Sequence, residues 1–202
     1  MKNTFVGLIK PDGVDRTDAI IDFVLRNGEF RIIEVRYVQL DESTAKKIIP
    51  SDLEWLRLIG EKVTNNLSSV GLSVKGTLGK GRNLPYKEIG DIVRGWNVIY
   101  LTNGVCVLLV IVGDEEEAKK FKNFVGPTDT ENQNTVRGFF RKKGSSMLES
   151  TLKGESFFNT MHASDPGRAN YEKKILLRVP PLRVYKPENA LVYALEKDTV
   201  HY

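Results

Sequence analysis

Residues 105–112 read VCVLLVIV, eight apolar residues in succession. That run is far too short to cross a bilayer. Preceded by Asn103-Gly104 and closed by Gly113, it reads as strand material. A second apolar run, 4–9, ends at Lys10-Pro11-Asp12-Gly13, so it reads as a buried strand followed by a turn. Between such runs lie segments of helical spacing. Thr17 caps a helix with Ile20, Phe23 and Val24 on one face, ended by Gly28. Ser51 and Glu54 have capping-box spacing before Leu56, Ile59, Val63 and Leu67. Pro85 starts a helix with Ile89, Val93 and Trp96 on one side, and Asp114 and Glu117 form a second capping box before Ala118, Phe121 and Val125.

The remaining segments complete an α+β pattern. Residues 30–40 form a strand with Ile33, Val35 and Tyr37 on one face and Glu34 and Arg36 on the other. Asp41 begins a short helix. Residues 98–101 and 105–113 make a third strand region around the Asn-Gly break. The stretch 126–146 is mostly loop, 157–161 a last short strand, 171–177 helical, and the end irregular and Pro-rich. Strands separated by helices, with a hairpin-like break, point to a mainly antiparallel sheet covered by helices. There is no internal repeat.

At 202 residues, 41% hydrophobic and 28% charged, the chain has enough apolar material for a substantial core. The net charge of +4 suits anionic small molecules or nucleic acid without choosing between them. No basic stripe interleaved with aromatics is present, so nucleic acid is not the expected partner. The single cysteine, Cys106, sits inside the apolar run and reads as a small buried hydrophobe. With no signal-peptide pattern at the start, a reducing cytosol is the expected compartment.

Three segments carry candidate chemistry. Lys10 ends a buried strand at a rigid turn, where it can meet an anion; alone, it also reads as a solvated lysine. In the stretch 125–140, VGPTDTENQNTVRGFF, Thr128 offers a hydroxyl and Arg137 a guanidinium fork suited to phosphate oxygens, while Lys122 lies just before it. In 157–167, FFNTMHASDPG, His162 is one of two histidines; the other, His201, is next to last. A neutral imidazole is a competent nucleophile toward phosphorus, with Asn159 able to donate an amide and Ser164 and Asp165 able to hold the turn or the ring. A satisfied structural histidine is the bland alternative. GKGRN, 79–83, is not a phosphate loop, because Gly81 rather than Ser or Thr follows Lys80 and no buried strand leads in. One internal histidine and one cysteine do not make a side-chain metal site.

Taken together, TFVGLIKPDGV (4–14), VGPTDTENQNTVRGFF (125–140) and NTMHASD (159–165) occur in the order of the signature segments of nucleoside diphosphate kinases, and the chain resembles that family over most of its length. The C-terminal KPENAL is similar to the family's Pro-Glu-containing tail. The resemblance implies a ferredoxin-like α+β fold with a four-stranded antiparallel sheet. It implies transfer of a γ-phosphate from a nucleoside triphosphate to a diphosphate, by a ping-pong route through a phosphohistidine. Mg²⁺ would be held by the nucleotide phosphates rather than by protein side chains, and the protein would form homo-oligomers, tetrameric or hexameric. On this reading His162 takes the phosphoryl group and Lys10 binds it. Thr128 and Arg137 bind phosphate, Asn159 contacts sugar and phosphate, and Ser164 and Asp165 complete the motif. A non-catalytic nucleotide-binding module on the same fold is the alternative.

The chain also departs from the family. Lys122 stands where the family has a phosphate-binding arginine. The family's glutamate partner for the histidine aligns at Lys174, with Glu172 close enough to substitute. The base-stacking aromatic has no clean counterpart; Val93 falls near it and Trp96, read as core, is a turn away. The chain is expected to be one domain over 1–202 with insertions at about 48–88 and 141–155. The first replaces part of a helical hairpin that walls the family's nucleotide site, and the second enlarges a loop that serves oligomer contacts.

Overall fold

Strands β1 (Thr4–Ile9) and β3 (Val105–Val112) pair antiparallel from Thr4↔Val112 to Ile9↔Val107. They are the two apolar runs of the sequence, and they sit side by side in the middle of the sheet. The computed structural model describes residues 3–142 and 146–187. Within them the sheet has five strands in the order β4-β1-β3-β2-β5, with β2 at Arg31–Gln39, β4 at Met161–Ala163 and β5 at Pro181–Tyr185. Every neighbouring pair is antiparallel. The α+β class is as expected; the sheet has five strands rather than four, because Pro181–Tyr185, expected to be irregular, pairs with β2.

The chain folds as two compact units. The first takes 3–40, 105–140 and 159–187, and holds the sheet, a 3-10 turn (Pro11–Arg16) and helices α1 (Thr17–Asn27), α6 (Glu115–Val125), α7 (Val136–Phe139) and α9 (Pro166–Leu176). Its core joins Phe5 and Ile9 of β1, Val107, Leu109 and Ile111 of β3, and Met161 and Ala163 of β4 to Ile20 and Val24 of α1 and Phe121 and Val125 of α6. Gly7 makes room for this packing: a Cβ there would lie 2.8 Å from the Phe121 ring. The Asp114–Glu117 capping box starts α6 as the sequence predicts. Cys106 is fully buried, and burial pushes its thiol up to about 12, so it behaves as a hydrophobe.

The second unit takes 41–104 and the described part of 141–158. It is helical: α2 (Glu42–Ile48), α3 (Leu53–Ser68), α4 (Val74–Thr77), α5 (Tyr86–Thr102) and α8 (Met147–Lys153). Helices α3 and α5 approach so closely that a Cβ on Gly60 would stand 1.9 Å from the Tyr86 carbonyl oxygen, and one on Gly90 2.1 Å from that of Leu56. Val63, Leu67, Ile89, Val93 and Met147 form its core, with Trp96 packed against it. Trp96 is half-buried against this core rather than a free ring, and Val93 belongs to the core. Both stretches expected to be insertions fall inside this unit.

Several local expectations change. Residues 98–101 are the last turns of α5, not strand; a short apolar run fits either period, and here the helix started at Pro85 carries through to Thr102. The last short strand is Met161–Ala163 rather than 157–161, because Thr160 adopts φ +61°, outside the extended region. In β2 the buried residues are Ile32, Val35 and Val38. An extra residue at Ile33, between the pairs Ile32↔Ile111 and Glu34↔Val110, is a β-bulge that breaks the expected alternation. Asp52, not Ser51, caps α3, and Thr17 lies inside α1 with Arg16 at the cap. Two short helices, α7 and α8, occupy stretches expected to be mostly loop or left without an expected element. His201 and most of KPENAL lie outside the described residues.

Candidate active site

The site grows from two turns locked together. After β1 the chain enters Lys10-Pro11-Asp12-Gly13, with Pro11 opening the 3-10 turn. The Lys10 backbone N–H donates to the Thr160 carbonyl at 2.7 Å. The Asp12 carboxylate accepts from the Thr160 backbone N–H at 2.9 Å. Gly13 leaves the space that Thr160 fills, since a Cβ there would lie 2.9 Å from the Thr160 methyl. These contacts hold Thr160 at φ +61°, a conformation unfavourable for a β-branched residue. The chain therefore turns sharply and enters β4 with His162 opposite Leu8. Met161 and Ala163 point into the core, so alternation puts His162 on the other face of the sheet.

The ring is fixed at one nitrogen. His162 Nε2 lies 2.7 Å from Glu172 Oε2, and Ser164 Oγ donates to the same oxygen at 2.6 Å. Arg168 Nε donates to the other carboxylate oxygen at 3.0 Å. Burial raises the affinity of the Glu172 carboxyl for a proton, but the hydrogen bonds from His162, Ser164 and Arg168 outweigh it and hold Glu172 below its ordinary value. An ionised Glu172 accepts a hydrogen bond from Nε2–H, and the neutral ring then carries its lone pair on Nδ1. Among the described residues Nδ1 has no hydrogen-bond partner. The imidazole is 25% exposed, open to a ligand rather than sealed in the core.

Two cations are tied to the turn and strand that carry this ring. The Lys10 ammonium donates to Asn159 Oδ1 at 2.6 Å. Burial, with repulsion from Arg137 added, pushes Lys10 down to about 7. Arg137, on α7, is tied to the histidine strand: its Nε donates to the Met161 carbonyl at 3.0 Å and its Nη1 to that of Gly126 at 2.8 Å. Burial draws the guanidinium down to about 10. Neither cation has a carboxylate within ion-pair distance among the described residues, an arrangement that favours an incoming anion. Thr128 is exposed in the turn two residues beyond Gly126. Lys122, at the end of α6, pairs with Asp165 at the N-terminus of α9. The structure thus joins Lys10 to Asn159, His162 and Ser164 to Glu172, and Lys122 to Asp165. Glu172, not the exposed Lys174, faces the ring.

Sequence reasoning missed Asp12 and Arg168. Asp12 was visible only as a turn residue, because its partner is 148 positions away. Arg168 had a local signal, its i,i+4 spacing to Glu172. Among the described residues no group of three or more His, Cys, Asp or Glu side chains is placed to hold a metal ion, and no helix is long and apolar enough to cross a membrane.

No family model matches the chain. A nucleoside diphosphate kinase of Pyrobaculum aerophilum is 27% identical over 176 residues, covering 85% of this chain and 92% of that protein. The crystal structure of an NDP kinase from the same organism superposes with a TM-score of 0.75 at 25% identity, covering 88% of this chain and 97% of the other. A nucleoside-diphosphate kinase from Borrelia burgdorferi, solved as a transition-state mimic with vanadate and ADP, shares the fold with a TM-score of 0.57 at 20% identity, over 90% and 92% of the two chains. In signature segments, in sequence over most of its length and in fold, the chain is similar to nucleoside diphosphate kinases.

Proposed function

We propose that the chain transfers the γ-phosphate of a nucleoside triphosphate to a nucleoside diphosphate through phosphorylated His162. The observation that carries this reading is the commitment of Nε2 to the Glu172 carboxylate at 2.7 Å, which leaves Nδ1 as the nucleophile. In the first half-reaction the Nδ1 lone pair attacks the γ-phosphorus. The bond from that phosphorus to the β,γ-bridging oxygen breaks, and the diphosphate leaves with the electron pair. The second half-reaction reverses this toward a different diphosphate. The ring gains positive character as it attacks, and the Glu172 carboxylate stabilises it through Nε2–H.

Phosphoryl transfer asks for positioning and charge rather than covalent work. Lys10 and Arg137 supply charge to the transferred group, and loss of either costs on the order of 2.7–4 kcal/mol of transition-state stabilisation. The donors around the ring are cations, hydroxyls and amides, which suit nucleotide phosphates. Mg²⁺ fits as an ion carried on those phosphates, where it neutralises charge. Lys122, paired with Asp165, keeps the charge of an arginine without its fork. Thr128 and Asn159 complete the phosphate and sugar contacts. The two insertions, homo-oligomeric assembly and a cytosolic setting belong to the same reading.

Incubation with γ-labelled ATP and Mg²⁺ tests it. The wild type becomes labelled, the label is acid-labile and base-stable, and it passes to added diphosphates of several bases. His162→Ala takes up no label. A protein that binds nucleotide yet never becomes labelled would be the non-catalytic module instead.

A further inference from the structure

The Glu172 carboxylate is 1% exposed and its two oxygens do different work. Oε2 meets His162 and Ser164. Oε1 meets Arg168 Nε at 3.0 Å, one turn earlier on α9. Arg168 is itself held, its guanidinium 5.6 Å from the centre of the Tyr171 ring, and it is 32% exposed, so it is not needed to fill the core. We propose that Arg168 is a positioning residue for the phosphoryl transfer: it clamps the second oxygen of Glu172 and thereby keeps the His162 proton on Nε2. The inference rests on the kinase reading above and deepens it.

A buried carboxylate responds sharply when one oxygen loses its partner. Burial alone drives such a group toward its neutral acid, and paired donors oppose that. Ser164 Oγ and His162 both sit on Oε2, so Arg168 is the side-chain partner of Oε1 and the one permanently charged donor. Without it, Glu172 holds a proton more readily. A protonated Glu172 donates to Nε2, and the ring then carries its own proton on Nδ1. That tautomer has no lone pair facing the phosphorus. Arg168 therefore acts two contacts away from the reacting atom, as outer partners of other functional histidines do.

The test compares Arg168→Ala and Arg168→Lys with the full-length wild type. For Arg168→Ala the rate of phosphohistidine formation from ATP falls about 10–100-fold, while the dissociation constant for ADP changes by less than about twofold. Nitrogen-15 NMR of the imidazole shows Nε2 protonated in the wild type and a growing Nδ1-protonated fraction in Arg168→Ala. Arg168→Lys keeps the charge and recovers part of the rate and the tautomer. An Arg168→Ala protein with the wild-type rate and tautomer overturns the proposal and leaves the kinase reading intact. So does a variant whose rate falls while the tautomer stays on Nε2. A wild type that takes no label defeats the kinase reading itself, and the NMR comparison still decides whether Arg168 sets the tautomer.

Discussion

Lys10 is the residue at which stability and function pull apart. Its side chain is buried, and desolvation, then the neighbouring Arg137, bring it down to about 7 from the usual lysine value. Below pH 7 both the folded and the unfolded chain hold the proton, so the folded protein bears the whole cost of the buried charge. Between about 7 and 10.5 the unfolded chain binds more protons, and stability rises with pH. Lys10→Met should therefore raise the melting temperature of the nucleotide-free protein at pH 6. That advantage should shrink as the pH climbs through this window, while phosphoryl transfer is lost. Paired thermal melts of variant and wild type across pH 6 to pH 10 check the sign. This cost, like the open Nδ1, supports the proposed anion-binding role of the site. The signature motifs make Lys10, Arg137, Asn159 and His162 candidates, and the structure ties Lys10 to Asn159 and Arg137 to the histidine strand. The ring's carboxylate partner aligned with Lys174 and only nearly with Glu172, because spacing along a strand-to-helix junction does not fix which helical face turns inward.

Among the elements, the two interlocked turns decide where the histidine points. Asp12 accepts the Thr160 N–H at 2.9 Å, and Thr160 holds an unfavourable φ of +61° only because its surroundings impose it. Asp12→Ala leaves that N–H without its carboxylate. We expect a loss of about 1–3 kcal/mol in urea unfolding, with a slower phosphorylation rate from a looser entry into β4. An unchanged rate at unchanged stability would show that the turn needs no such clamp. Elements with strong local signals were legible: β1, β3 and the capped start of α6 lie where their residues predict. Those set by distant pairing were not. β5 exists because β2 offers it an edge, and the bulge at Ile33 because β3 dictates register. The end of α5 was lost to a strand reading, since four apolar residues carry no period of their own.

For the whole molecule, the residues with candidate chemistry all fall in the sheet-bearing unit, 3–40, 105–140 and 159–187. The helical unit has its own core around Val63, Leu67 and Ile89. On the proposed reading one site serves donor and acceptor in turn. The spacing of the motifs suggests extra residues at about 48–88 and 141–155; that both stretches fall in one compact unit could not be read from it, because they carry no mutual signal in a single chain.

On the proposed reading, the chemistry at all three scales turns on Glu172 committing Nε2 of His162 and leaving Nδ1 to attack phosphorus. Phosphorus-31 NMR of the phosphoenzyme made with ATP and Mg²⁺, with the phosphorylated ring nitrogen assigned, decides the matter. A single phosphoryl group on Nδ1 of His162 is the expected result. A phosphoryl group on Nε2, or on any other side chain, would contradict it.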